Sequence, residues 1–400
     1  MSILNFETKA KSLFYGMEFT NGIRRELVSA LAIIYFLSLG HNLVAITTMF
    51  AVSRILMTLF EFPSGAFADH YSRKKSILIS FALMTIAFLG IFFFQNYWLI
   101  AIFFILHDIA WTFQSGTTTA WVIDTLNYGE NSKKLATLFA RFFFFEKTGA
   151  IIGGLIGLIV VAINFRIVWL VIALTNMITF FVILKYMEEK NFKTKKLDSK
   201  IFLQTFIQAK DSIKFLLHKN NKQIKGLAFA VFFGTLAIDS FFIQTPLIFN
   251  QILGLSPEYI AGIFSIVAVI ALIAPFIGEK LAHKFGTKKS LFFIFIAISI
   301  FMITFAISNN VLLSIGMIIL FSAFETAFVT IHDSAVQHAI PSKNRATLGS
   351  AMNIIWAIAS ASSALIIGLG IATFGLVAST IFSGIIALIT GFIYLFSLKD

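Results

Sequence analysis

The sequence predicts an all-α polytopic membrane protein: twelve transmembrane helices in two pseudo-repeated six-helix bundles. Three observations predict it. Of the 400 residues, 58% fall in the hydrophobic set; a helical crossing takes ~20 residues, so that much apolar chain suits about a dozen spans. Charged residues make up only 12%, about half of the ~25% typical of a soluble domain. The cations also collect on alternate loops. A soluble enzyme, a secreted disulfide scaffold and a disordered chain are excluded. With no cysteine in the chain, disulfides and thiolate metal sites have no place either.

Long apolar windows between polar breaks place the spans at about 17–39, 44–66, 76–95, 98–122, 139–162, 166–187, 225–250, 256–279, 289–308, 310–331, 347–371 and 374–397. Arg24, Arg25 and Glu26 interrupt the first. The stretch Met1 to Gly16 lacks the apolar run and small-residue site of a removable signal peptide. Breaks at Gln95-Asn96, Asn164, Ser256-Pro257 and Asn309-Asn310 are short, which makes the adjoining helices antiparallel neighbours. In the seventh span, Gln244 and Pro246 predict a kink that frees backbone carbonyls.

Charge placement sets the orientation. With both termini inside, 25 of the 31 cations lie on cytoplasmic segments, five lie in or beside spans, and only Arg166 lies outside. Such asymmetry is the positive-inside rule. The net charge of +12 is then a topological signal, and no nucleic-acid partner is expected.

The polar stretch from Lys185 to Lys225 separates six helices from six. The predicted divisions are an N-terminal bundle over 1–187, a cytoplasmic linker over 188–224 and a C-terminal bundle over 225–400. Within the linker, Phe202, Phe206, Ile213 and Leu217 alternate with Lys210, Lys214 and Lys219. That pattern predicts a helix on the inner, anionic membrane surface; a solvated linker is the alternative. The halves repeat weakly: Ala68 to Lys75 follows the second span as Ala282 to Lys289 follows the eighth, and Ala136-Thr137-Leu138 matches Ala346-Thr347-Leu348. Duplicated bundles are a transporter architecture, with solute held at mid-membrane.

These segments resemble the major facilitator superfamily of secondary transporters, and within it the drug-efflux-like branch. Its signature between helices two and three reads Gly-x-Leu-x-Asp-Arg-x-Gly-Arg-Lys-Lys. Here it stands as Gly65-Ala66-Phe67-Ala68-Asp69-His70-Tyr71-Ser72-Arg73-Lys74-Lys75. Phe67, His70 and Ser72 depart from it. Ser115 to Asp124 and Ile340 to Thr347 are similar to a branch of the same family. The resemblance implies a cytoplasmic gate of Gly65, Asp69, Arg73 and Asp124. Gly65 would let helices two and eleven approach, Asp69 would face the N-terminus of helix eleven near Thr347, and Arg73 would pair with Asp124.

An ionisable residue deep in a span costs ~2.5–3.5 kcal/mol on insertion scales, so it should face a cavity or a partner. Arg54 lies ten residues into the second span, hence ~15 Å deep; Asp108 lies at similar depth in the fourth. Glu26, Asp108, Asp239 and Glu325 stand one each on helices one, four, seven and ten, the helices that the resemblance implies line the cavity. Asp108, Glu26, Asp239 or Glu325 is expected to carry a coupling proton, with Arg25 and Arg54 as ion-pair partners, since gaining and losing such a partner swings a carboxyl pKa. A permanently paired structural network is the alternative. Glu146 and Lys147 lie in helix five, and His107 either joins a proton relay or packs. Gly149, Gly153, Gly154 and Gly157 predict a close helix-packing face; the family's antiporters carry a related glycine signature, here without its proline. His332, Asp333 and His338 read as solvated loop polarity.

The function expected is proton-coupled export of small amphipathic or drug-like compounds by alternating access, from a prokaryotic inner membrane, as a monomer among membrane lipids. A proton symporter for uptake of a small organic solute, or a lipid flippase, competes. No catalytic motif, nucleotide-binding loop, metal cluster or cofactor signature is found, so neither an enzyme nor a cofactor is expected.

Overall fold

A computed structural model describes residues 3–128, 132–189, 222–339 and 345–398. Among these residues every regular element is helical. The helices are α1 (Ile3–Ser38), α2 (Leu43–His70), α3 (Arg73–Phe93), α4 (Tyr97–Thr112), α5 (Thr117–Leu126), α6 (Ser132–Ile163) and α7 (Ile167–Tyr186). Then come α8 (Lys222–Leu247), α9 (Pro257–Ala271), α10 (Ala274–Ile307), α11 (Val311–Ala339), α12 (Arg345–Phe374) and α13 (Leu376–Ser397). Among the described residues, ten helical stretches are long and apolar enough to cross a membrane. This is an all-α, multi-pass membrane fold.

The departures from the predicted spans have local causes. The fourth span is two helices, because the chain turns at Gly116 (φ +70°) between α4 and α5, a conformation glycine adopts at little cost. The eighth breaks at Leu272-Ile273, so α9 is only 15 residues long. Helix α10 then runs through Gly286 (φ 75°, ψ 162°), where the chain bends before the ninth span. The kink predicted near Pro246 is present: the proline lies inside α8 and a π-helical turn, Ile248–Ile252, follows it, as expected where a ring removes an N–H. The helix carrying the first predicted span begins before it, at Ile3, and is 36 residues long. The amphipathic segment of the linker lies outside the described residues.

Contacts divide the chain into two compact units, Met1–Tyr35 with Val52–Leu203, and Phe36–Ala51 with Gln204–Asp400. In the first, α3 packs on α4 and α7, and Phe14, Met17, Phe81 and Trp121 are buried in one apolar cluster. The N-terminus of α3 is capped by Ser72, whose Oγ accepts from Lys75 N–H at 3.0 Å, and Asn96 caps α4 likewise. In the second unit, α10 packs on α11 and α13, and α8 on α12 and α13. Phe241, Phe305 and Phe321 stack there in edge and tilted contacts. His332 corrects its reading as loop polarity: it is buried in α11, with Nδ1 2.9 Å from Tyr394 Oη of α13.

Candidate functional site

Polar chemistry in the first unit gathers where α1, α2, α4 and α6 meet. The packing of α1 on α6 comes first, because it sets which charges can touch. A Cβ on Gly22 would fall 2.0 Å from the Glu146 carbonyl oxygen, one on Gly149 2.1 Å from that of Phe19, and one on Gly153 2.9 Å from Ile23 Cα. The two backbones therefore touch, as the glycine spacing predicts. This contact brings the Glu146 side chain beside α1, where Arg25 Nη1 donates to Glu146 Oε1 at 2.6 Å. Arg25 thus pairs with Glu146, an acid outside the predicted proton-carrying set.

Asp108 is buried, with 6% of its surface exposed. Ser53 Oγ of α2 donates to its Oδ2 at 2.7 Å, and His107 Nδ1 lies 3.2 Å from its Oδ1. On the other side of the imidazole, Nε2 is 2.7 Å from Arg24 Nη1. A guanidinium only donates, so Nε2 must accept, and in the neutral ring the proton then sits on Nδ1, facing Asp108. Arg24, His107, Asp108 and Ser53 form one buried chain. Trp111, one turn along α4, has the guanidinium carbons of Arg24 and Arg25 at 4.8 and 5.8 Å from its ring centre, within cation–π range.

The remaining expected residues divide by unit. Arg54 is half-buried, and its field acts on Asp108, but it forms no ion pair among the described residues: its Nη1 reaches Met57 Sδ at 3.8 Å. Glu26 is half-buried, and its Oε1 has no hydrogen-bond partner among the described residues. Asp239 and Glu325 are half-buried in the second unit, where Thr326 Oγ1 lies 3.4 Å from Glu325 Oε2. Gln244 is fully buried there, and neither carboxamide atom has a hydrogen-bond partner among the described residues.

Sequence reasoning passed over Glu18 and left Arg24 without a role. Glu18 is buried, and Asn21 Nδ2 bridges its Oε2 (3.4 Å) and Gln114 Oε1 (3.3 Å). The available signal was the spacing 18, 21, 25 on one helical face.

At the end where α3 begins, Arg73 Nη1 donates to Asp124 Oδ2 at 2.5 Å and to the Ala120 carbonyl at 2.8 Å. Glu189, just past α7, was not anticipated: it accepts from Ser72 Oγ (2.7 Å) and from Arg73 N–H (2.6 Å). Trp121 Nε1 donates to the Glu188 carbonyl at 2.9 Å. Asp69 is exposed at the end of α2. Gly65 lies inside α2; Thr347, the expected neighbour of Asp69, has no described side chain.

Comparison with known proteins follows this geometry. The family described as Major Facilitator Superfamily matches residues 14–364 and 227–400. The uncharacterized MFS-type transporter YxaM of Bacillus subtilis (strain 168) is 38% identical over 79 residues, 19% of this chain and 20% of that protein; the match spans about one fifth of the relative's length. Among solved structures, the nucleoside transporter NupG (D323A mutant) superposes with TM-score 0.81 at 13% identity, covering 98% of this chain and 100% of that one. A bacterial homologue of the human lysosomal transporter Spinster gives TM-score 0.78 at 13% identity, covering 99% and 98%. A POT family transporter in complex with a thioalcohol-conjugated peptide gives 0.75 at 16%, covering 96% and 95%. The chain belongs to the major facilitator superfamily and is a transporter, not an enzyme.

Proposed function

We propose, from that membership, that this secondary transporter couples solute movement to protons through Asp108 and exports small amphipathic compounds by alternating access. The observation that carries the reading is the buried chain Arg24–His107–Asp108–Ser53. A carboxylate removed from water is costly unless paired, and here its partners are a hydroxyl, a neutral imidazole and the field of Arg54 rather than a locked ion pair. A proton reaching this chain goes to Asp108. His107 cannot take it without giving up its bond from Arg24, because a doubly protonated ring would turn two donors against each other. Neutralising Asp108 weakens the charge-assisted bond from Ser53 and removes the negative charge beside Arg54, which is a change α2 and α4 can register by moving.

Glu26, Asp239 and Glu325 are further proton-handling candidates in this reading. Gly65, Asp69, Arg73 and Asp124 act as its cytoplasmic gate, with Arg73–Asp124 as the ion pair. The 49 phenylalanines supply apolar walls suited to an amphipathic solute, and the names of the solved neighbours, a nucleoside transporter and a peptide-bound transporter, support a small organic one. The protein sits in a prokaryotic inner membrane as a monomer with both termini cytoplasmic.

The test is proton flux in proteoliposomes carrying a pH-sensitive dye, with candidate solutes added. Asp108→Asn is expected to abolish solute-driven proton movement while the protein stays folded. Unchanged coupling in that variant dismisses Asp108 as the carrier. Solute accumulation in inverted but not right-side-out vesicles is expected for export, and the reverse establishes the uptake symporter.

A further inference from the structure

Around Trp111 the hydrogen-bond valences do not close. Arg24 and Arg25 lie against the indole. Arg54 follows Ser53, whose hydroxyl is bonded to Asp108, and its charge acts on both Arg24 and Asp108. Three guanidiniums, each with five N–H donors, thus share one neighbourhood. Three of the acids there are committed: Glu146 takes Arg25, Asp108 holds Ser53 and faces His107, and Glu18 accepts from Asn21. Glu26 Oε1 has no hydrogen-bond partner among the described residues. Arg24 gives one N–H to His107, while its buried Nε has no hydrogen-bond partner among the described residues. Arg54 has the thioether of Met57, a weak acceptor, at 3.8 Å.

A guanidinium held in a spanning helix without an oxyanion is expensive. Arg54 is also half-exposed. The fork of a guanidinium matches the two oxygens of a carboxylate, and such charge-assisted pairs are the strong ones. Arg24 is held by the Trp111 ring and His107, and Arg25 by the same ring and Glu146, so Arg54 is the donor left for a ligand.

We propose that Arg54 is the recognition residue for an organic carboxylate, so that the solute is an amphipathic anion whose acidic head docks on this guanidinium beside the Asp108 chain. The proposal rests on reading this cluster as the translocation site.

The experiment uses purified full-length protein and a panel of aryl and alkyl carboxylates, from benzoate and 2-naphthoate to decanoate, each beside its uncharged carboxamide, with phosphatidylglycerol as a lipid control. Thermal stabilisation is measured first and Kd by calorimetry second. Carboxylates are expected to stabilise where their amides do not. Arg54→Gln should weaken their Kd by roughly tenfold or more, the scale of one lost charge-assisted pair, and Arg54→Lys, which keeps the charge, should retain the preference for acid over amide. Equal binding of acids and amides, binding by none of the panel, stabilisation by the lipid alone, or an acid preference that survives Arg54→Gln overturns the assignment. The proton role is read separately: Asp108→Asn with carboxylate binding kept and proton movement lost supports both, and coupling that persists in Asp108→Asn sinks the proton role while leaving the Arg54 result standing.

Discussion

Arg25 Nη1 and Glu146 Oε1 lie 2.6 Å apart although 121 positions separate them in the chain, and glycine is what lets them meet. Gly22 stands one helical turn before Arg25 on α1, and its missing side chain admits the backbone of Glu146 itself. Without that contact α6 would stand off by a side-chain diameter and the acid would fall short.

Gly149→Ala therefore tests the packing and the ion pair together. The new methyl would sit 2.1 Å from the Phe19 carbonyl oxygen, a backbone atom that cannot swing aside. The expected cost is that of overpacking, about 1–3 kcal/mol, seen as a lower apparent Tm in detergent. Gly16→Ala, where a Cβ meets nothing within 4 Å, should leave the Tm in place.

The two ends of the pair are not equivalent. Glu146 has 5% of its side chain exposed and Arg25 has 53%. Arg25→Ala strands a buried carboxylate and is expected to cost about 3–5 kcal/mol, whereas Glu146→Ala leaves a guanidinium with room to find solvent and should cost less. Stability of the two single variants, and recovery in Arg25→Ala combined with Glu146→Gln, is the measurement.

Glu189 closes the N-terminus of α3 by accepting from Ser72 Oγ and Arg73 N–H. Glu189→Ala should cost the ~0.5–2 kcal/mol of a lost cap. Hydrogen exchange is expected to quicken at the amides of residues 73–76 and to stay unchanged at the start of α4, which Asn96 caps independently.

Glu7, near the start of α1 and outside the spanning segments, is held below its usual carboxyl pKa, chiefly by the hydrogen bond from Lys11 (2.7 Å) and then by that from the Tyr128 hydroxyl. A depressed pKa means the folded state prefers the charged form. Its stabilisation is thus fully present above the unfolded pKa, about 4.3, and is lost as pH falls through the lower folded value. Glu7→Gln should flatten stability against pH on that acid limb and change nothing in the pH dependence above about 6, as read by denaturation across a pH series.

Much of this was readable along the chain because hydropathy and charge asymmetry are properties of consecutive residues. The Arg73 and Asp124 positions could be paired from the resemblance, and Asp108 stood out as an acid in an apolar run. The exceptions are instructive. Arg166, the cation out of place by the positive-inside count, donates to the carbonyls of Phe92 and Phe93 at the C-terminal end of α3, so a helix terminus explains it rather than topology. Arg24 looked like a mere interruption of the first span; it proved to be the residue that fixes the His107 tautomer.

What the residues determined unaided is the all-α, multi-pass membrane class and where most of the helices turn, since each depends on a window of some twenty neighbours. Which charges meet was decided by tertiary structure. That Arg25 would take Glu146, that Ser53 would serve Asp108 and that Arg54 would be left facing a thioether all depend on how α1, α2, α4 and α6 rotate and how closely they approach. Steric fit between distant segments sets both, and no stretch of sequence contains it.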